Sequence, residues 1–297
     1  MKHIKLVYIF VIFLTGCFCG LTAHAKENPI SPFVSFSSES ISLGDTLLIK
    51  IKKEAGISGV YGVFLKKNID FLKTTNGDWI GMVGFNPKRK TGSYKLTLNF
   101  SDGTNFNKTI KVNKRDFPTT KLLVTQQLAD AGYSVKSIVK SSISDTAALA
   151  IAERYYSPTA FFSKPFQYPL TKIKSVGDFG NIRKSGTTAM QHLGVDLEAE
   201  EGTDVYASND GVVSLVTELK DYGNTVVINH GLGIFTLYLH LEEFKVSIAQ
   251  LVKKGDLVGL SGNTGYSIAP HLHFSLHVNN ESVDPLVFIE TTIVEMQ

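Results

Sequence analysis

Between residues 40 and 113 apolar positions recur with a period of two in short runs broken by turn residues. Tyr94-Lys95-Leu96-Thr97-Leu98-Asn99-Phe100 alternates cleanly, Ser101-Asp102-Gly103 interrupts it, and the chain returns from Phe106 with Ile110 and Val112 on one parity. That is a hairpin pattern. Segments 47–51, 60–65 and 79–85 have similar lengths and turn signals. About seven such strands predict an immunoglobulin-like β-sandwich over residues 26–117. The pattern then changes. Ala147, Ala148, Ala150 and Ala152, with Leu149 and Ile151, favour helix, Ser144 or Asp145 is placed as N-cap, and Pro158 ends the run, so 118–160 reads as a linker of one or two helices. Strand signals resume at 212–216, 225–229, 234–239 and 257–260, with glycine turns at Gly211, Gly223, Gly231 and Gly262. They predict a second, mostly antiparallel β domain over 161–297 and a mainly β fold class overall.

The N-terminus changes the compartment. Lys2 and Lys5 precede an unbroken apolar run at 6–14, which fits a signal peptide and is too short to span a bilayer. Export to the periplasm or cell envelope follows. Ala23-His24-Ala25 is a small-x-small cleavage site, whereas Leu14-Thr15-Gly16-Cys17 matches a lipobox that would anchor the chain through Cys17. The apolar stretch continues through Phe18, Cys19 and Leu21 instead of giving way to a polar tether, which favours cleavage after Ala25 and a signal peptide over 1–25. The mature chain then has no cysteine, because Cys17 and Cys19 are the only two, and its core must hold it without disulfides. Its formal charge falls from +3 to about +1, which offers no strong basic field for nucleic acid.

The chemistry is concentrated late. Of eight histidines, all except His3 and His24 fall between His192 and His277. His192 and Asp196 lie four apart, His240 stands in Tyr-Leu-His-Leu, and His271 and His273 bracket Leu272. Three such donors can hold zinc and leave a fourth position for water. On a strand, His271 and His273 share one face while Leu272, Phe274, Leu276 and Val278 pack on the other. If one of the pair binds the metal, its neighbour lies within reach of the activated water, and His240 can assist. Each motif alone is common; their clustering is what singles them out. His230, beside Gly231 and Gly233, reads as a turn residue serving the local backbone.

These residues resemble the lysostaphin-type, or LytM-like, zinc metalloendopeptidases, over about residues 165–290. The resemblance runs through Phe179-Gly180-Asn181-Ile182-Arg183, His192-Leu193-Gly194-Val195-Asp196, Thr236-Leu237-Tyr238-Leu239-His240, Gly262-Asn263-Thr264-Gly265 and Pro270-His271-Leu272-His273-Phe274. It implies one zinc ion on His192, Asp196 and His273, with His271 as general base and His240 orienting water or substrate and stabilising the tetrahedral intermediate. It places Arg183 at the cleft edge, facing acidic stem peptides. The chain departs from the family pattern at Ser275 and His277, which share the face of His273 and are expected to support it. The implied activity is hydrolysis of peptidoglycan crosslinks, with stem peptides and envelope regulatory proteins as partners. The alternative is a non-catalytic LytM-like module that binds peptidoglycan or activates an amidase. The helical linker is expected to be either a latch over the groove or a plain connector.

Overall fold

The computed structural model describes residues 30–296, so the export segment, the Ala25 cleavage site and the Cys17 lipobox lie outside the described residues. The first domain is two packed sheets. One orders β1 (Val34–Phe36), β3 (Thr46–Ile51), β7 (Trp79–Gly84) and β6 (Phe71–Lys73); the other orders β2 (Ser40–Ser42), β9 (Asn105–Asn113), β8 (Gly92–Phe100), β4 (Val60–Phe64) and β5 (Lys67–Ile69). Nine strands replace the expected seven, because β1, β2, β5 and β6 are three-residue edge pieces with no periodic signal of their own. Leu47, Ile49, Phe64, Phe85, Leu96, Leu98 and Ile110 fill the space between the sheets.

Leu47, Leu48 and Ile49 are all buried, so β3 does not alternate. An apolar run of this kind is what a strand covered on both faces requires. Leu48, Ile80 and Met82 face the second domain, in one cluster with Val278, Val283, Phe288 and Ile289. Polar ties surround this seam. The buried Glu281 carboxylate accepts from Arg89 Nη2 at 2.6 Å and Lys67 Nζ at 2.7 Å, and Arg115 Nη2 donates to Asp284 Oδ2 at 2.8 Å.

The connector is more than helix. Its β10 (Thr119–Lys121) pairs parallel with β12 (Ile182–Ser185), which pairs antiparallel with β13 (Thr188–Gln191). Helix α1 (Gln126–Asp130) follows, and α2 runs from Val135 to Ala152. The cap expected at Ser144 or Asp145 is at Ser134, whose hydroxyl and that of Ser137 form a reciprocal capping box, so α2 starts about three turns earlier. Its buried stripe is Ile138, Ser141, Asp145, Leu149 and Ala152. Two polar residues on the buried face hid the helical period from an apolar count.

The second domain is a ten-stranded sheet with the central order β11 (Ser175–Gly177), β14 (Val195–Glu198), β21 (His271–Val278), β18 (Ile234–Phe244), β17 (Gly223–Gly231), β16 (Gly211–Leu219) and β19 (Leu251–Val252). Branching from it, β15 (Asp204–Tyr206) pairs β20 (Leu257–Ser261), which pairs β18, and β22 (Glu281–Val283) pairs β21. The Asp284 side chain caps α3 (Pro285–Glu295).

Candidate metal centre

Adjacent strands bring the donors together. β14 and β21 run antiparallel with Asp196 opposite His273, and Leu239 on β18 faces His273 from the other side. His192 sits in the turn ahead of β14, its N–H bonded to the Asn181 carbonyl. His192 Nε2, His273 Nδ1 and Asp196 Oδ1 form a triangle with sides of 2.8–3.0 Å. All three residues are buried.

The outer hydrogen bonds fix which atoms face inward. His192 Nδ1 lies 3.0 Å from the Asp178 carbonyl, and a carbonyl only accepts, so the proton is on Nδ1 and Nε2 is bare. Ser275 Oγ donates to the Leu193 carbonyl at 3.2 Å and so accepts from His273 Nε2–H at 2.8 Å, leaving Nδ1 bare. Burial, ahead of the neighbouring charges, pushes the His273 pKa down to about 4. Burial pushes the Asp196 carboxyl up, but hydrogen bonds and charge from His192, with His271 and His273, outweigh it and hold Asp196 well below the usual carboxylate range. Three lone pairs within about 3 Å of one another repel unless a cation lies among them. The donor set fits a divalent ion, and His192, Asp196 and His273 are the group among the described residues whose ligand atoms converge within 4.8 Å.

Two further histidines rim the cluster. His271 Nδ1 donates to the Ala269 carbonyl at 2.8 Å, and its Nε2 points inward, 3.5 Å from Asp196 Oδ1. Its pKa is raised: burial lowers it, and hydrogen bonding and charge from Asp196 overcome that. His240 Nδ1 donates to the Thr264 carbonyl at 2.8 Å, and its ring centroid is 4.9 Å from that of His271. Burial, then repulsion from His271 and His273, lowers its pKa to about 3, so it is a neutral ring with an accepting Nε2. That suits it to orienting water, and it lacks the inward proton that stabilising an oxyanion would need. His240 has φ +61°, a left-handed conformation costly for a non-glycine residue; its N–H bond to the Tyr222 carbonyl at 2.9 Å helps hold it.

The remaining expected residues are placed differently. Arg183 Nη2 donates to Asp196 Oδ2 at 2.7 Å, so it reaches the cluster itself as well as the cleft edge. Ser275 supports His273 as described. His277 does not support it: its Nδ1 meets Glu153 Oε1 at 2.6 Å, at the C-terminus of α2, and its Nε2 meets Ser282. Alternate residues of β21 share a face, but four positions along the strand carry His277 about 13 Å from His273. His230 is buried between the Asp210 carbonyl and Thr236 Oγ1, and burial lowers its pKa to about 4. Asp178, Thr264 and Ala269 act through backbone carbonyls, which no side-chain motif encodes. Gly177 and Gly194 admit the cluster: a Cβ at Gly194 would lie 2.4 Å from His273 Nε2 and Ser275 Oγ, and one at Gly177 2.3 Å from Asp196 Oδ2.

Helix α2 lies across the open side. A cavity of about 850 Å³ is lined on one side by His192, His240 and His273 and on the other by Ile138, Thr146 and Leu149 of the helix. Ser141 Oγ donates to Asp221 Oδ1 at 2.6 Å, and Asp145 Oδ2 accepts from the Asp221 N–H at 2.7 Å.

Fold and donor set together define a β-sheet domain with a His, His, Asp cluster able to hold a metal ion. Residues 190–285 match the model of peptidase family M23. The chain carries a peptidase M23 domain of the LytM and lysostaphin type. It is 39% identical over 139 residues to an uncharacterised metalloprotease of Haemophilus influenzae, covering 45% of this chain and 29% of that protein. It is 44% identical over 95 residues to the peptidoglycan DD-endopeptidase ShyA of Vibrio cholerae, covering 32% and 22%. The matches thus span under a third of either relative. A crystal structure of a peptidase M23 from Pseudomonas aeruginosa shares the fold, with a TM-score of 0.57 at 23% identity over 84% of this chain and 94% of that one.

Proposed function

We propose that the protein is an exported zinc-dependent endopeptidase that hydrolyses peptide crosslinks of bacterial peptidoglycan. The observation that carries this reading is the triangle of bare donor atoms with two further histidines turned toward it. Two imidazoles and a carboxylate suit zinc. Held by His192 Nε2, His273 Nδ1 and Asp196 Oδ1, zinc would supply Lewis acidity that eases deprotonation of water and polarises the scissile carbonyl.

The chain's own residues do the rest. With its Oδ1 engaged at the metal site, Asp196 would pull less on His271. His271 Nε2 then accepts the proton of the attacking water and returns it to the leaving amine. His240 Nε2 accepts a hydrogen bond and orients that water. The sheet floor beside β18 and β21 receives an extended peptide, and α2 must move aside for a crosslinked substrate to enter, which makes it a cover.

The test is to incubate the chain from Lys26, zinc-loaded, with crosslinked peptidoglycan dimers and to follow products by mass spectrometry. Monomers are expected from the unaltered protein and not from His271→Ala or His273→Ala. Zinc bound without cleavage, also after removal of residues 124–156, would favour the binding-module alternative.

A further inference from the structure

Arg183 is at the edge of the cavity, where a cationic side chain invites a role in binding acidic substrate. Its contact argues otherwise. The two oxygens of Asp196 have different surroundings: Oδ1 faces His192 Nε2, His273 Nδ1 and His271 Nε2, while Oδ2 accepts from Arg183 Nη2 at 2.7 Å. On its other side Oδ2 is walled by Gly177, where even a methyl group would approach to 2.3 Å. The carboxylate is thereby held so that one oxygen serves the donor cluster and the other is occupied. Without that hold it can rotate about its Cβ–Cγ bond and present either oxygen or both, and a three-donor site loses its preset geometry.

Arg183 is in turn positioned from outside its own domain. It is central in β12, paired with Met190 of β13 on one side and with Thr120 of the connector strand β10 on the other. Backbone bonds from Ile182 N to the Pro118 carbonyl and from Leu122 N to the Lys184 carbonyl, both 2.8 Å, frame the pairing, and Thr120 Oγ1 donates to Asn181 Oδ1. Removing β10 leaves β12 and β13 as a two-stranded ribbon, which is marginal in water.

We infer that Arg183 is a positioning residue that fixes Asp196 for one-oxygen metal binding, and that connector strand β10 acts on the metal centre through it. This rests on the metallopeptidase reading above. The experiment uses the chain from Lys26 and measures zinc affinity by competition with a chromophoric chelator, beside thermal unfolding of the metal-free protein. Arg183→Gln is expected to weaken zinc binding about 10–100-fold with the metal-free unfolding midpoint little changed. Arg183→Lys, which keeps the charge but not the planar fork, is expected to recover part of the loss. Thr120→Pro puts a residue without N–H into β10; it should weaken zinc binding in the unaltered background and add nothing to Arg183→Gln. Unchanged zinc affinity in Arg183→Gln, with KM raised for acidic stem peptides, would overturn the inference and return Arg183 to substrate binding. Additive losses in the double variant would overturn the connector's part. If the unaltered chain binds no zinc, the metallopeptidase reading itself falls, a result distinct from either.

Discussion

At the scale of single residues, the centre depends on atoms that hold imidazoles in one tautomer. Ser275→Ala removes the acceptor of His273 Nε2–H and is expected to weaken zinc binding about 10-fold, read by the same chelator competition. Gly194→Ala should do more damage, since the added methyl meets His273, Ser275 and the Phe274 carbonyl at once. His240→Ala touches no ligand atom, so zinc should bind normally while kcat falls about 100-fold or more; a loss of zinc instead would make His240 a ligand. The histidines and Asp196 were visible in the sequence because they cluster late in the chain and because a spacing of two puts His271 and His273 on one face of a strand. The carbonyls of Asp178, Thr264 and Ala269 were not, because any residue supplies one. Nor was the left-handed backbone at His240, where no glycine marks the spot.

At the scale of elements, the hairpin at 94–112 was legible from its alternation, and the buried strands of the second domain from their glycine punctuation. Helix α2 was legible only in its alanine-rich second half. Its buried face includes the polar Ser141 and Asp145, so the contact that matters most, Asp145 against Asp221, carries no apolar signal. Burial, with repulsion from Asp145 only partly offset by Ser141 and Lys220, raises the Asp221 pKa to about 6. Its Oδ2 is buried without a hydrogen-bond partner. A carboxyl with a raised folded-state pKa contributes stability below its unfolded value, near 4, and loses it as pH rises through about 6. Hydrogen-exchange protection of α2, taken relative to the intrinsic rate at each pH, is therefore expected to fall between pH 4 and 7, and Asp221→Asn to flatten that dependence. Equal dependence in both proteins would remove Asp221 as its source. Deleting residues 124–156, which spares β10, should raise turnover of crosslinked dimers; unchanged turnover would make α2 a connector only.

At the scale of the molecule, the two domains are joined by a continuous core and by Glu281, whose side chain is only 4% exposed against Lys67 and Arg89. Burial raises the Glu281 pKa, and hydrogen bonds from Arg89 and Lys67 more than reverse it, leaving it below the usual value. Its stabilisation is present above the unfolded pKa and fades as pH falls through the lowered one. Glu281→Leu should cost about 1–3 kcal/mol, allowing for the half-exposed partners, seen as a lower Tm at neutral pH that converges on the parent in acid. Cutting away residues 26–117 would bare Val278 and Val283, which pack against Gly84, and is expected to give an aggregating protein, not a minimal enzyme. The segment from His273 to Asp284 thus serves two masters: its first residue faces the donor cluster, and its last residues grip the sandwich. A recombination breakpoint placed by composition alone, between sandwich and peptidase, would swap one half of this contact without the other. Chimeras with a foreign N-terminal domain should fold only when β21, β22 and the cap of α3 travel with their own sandwich.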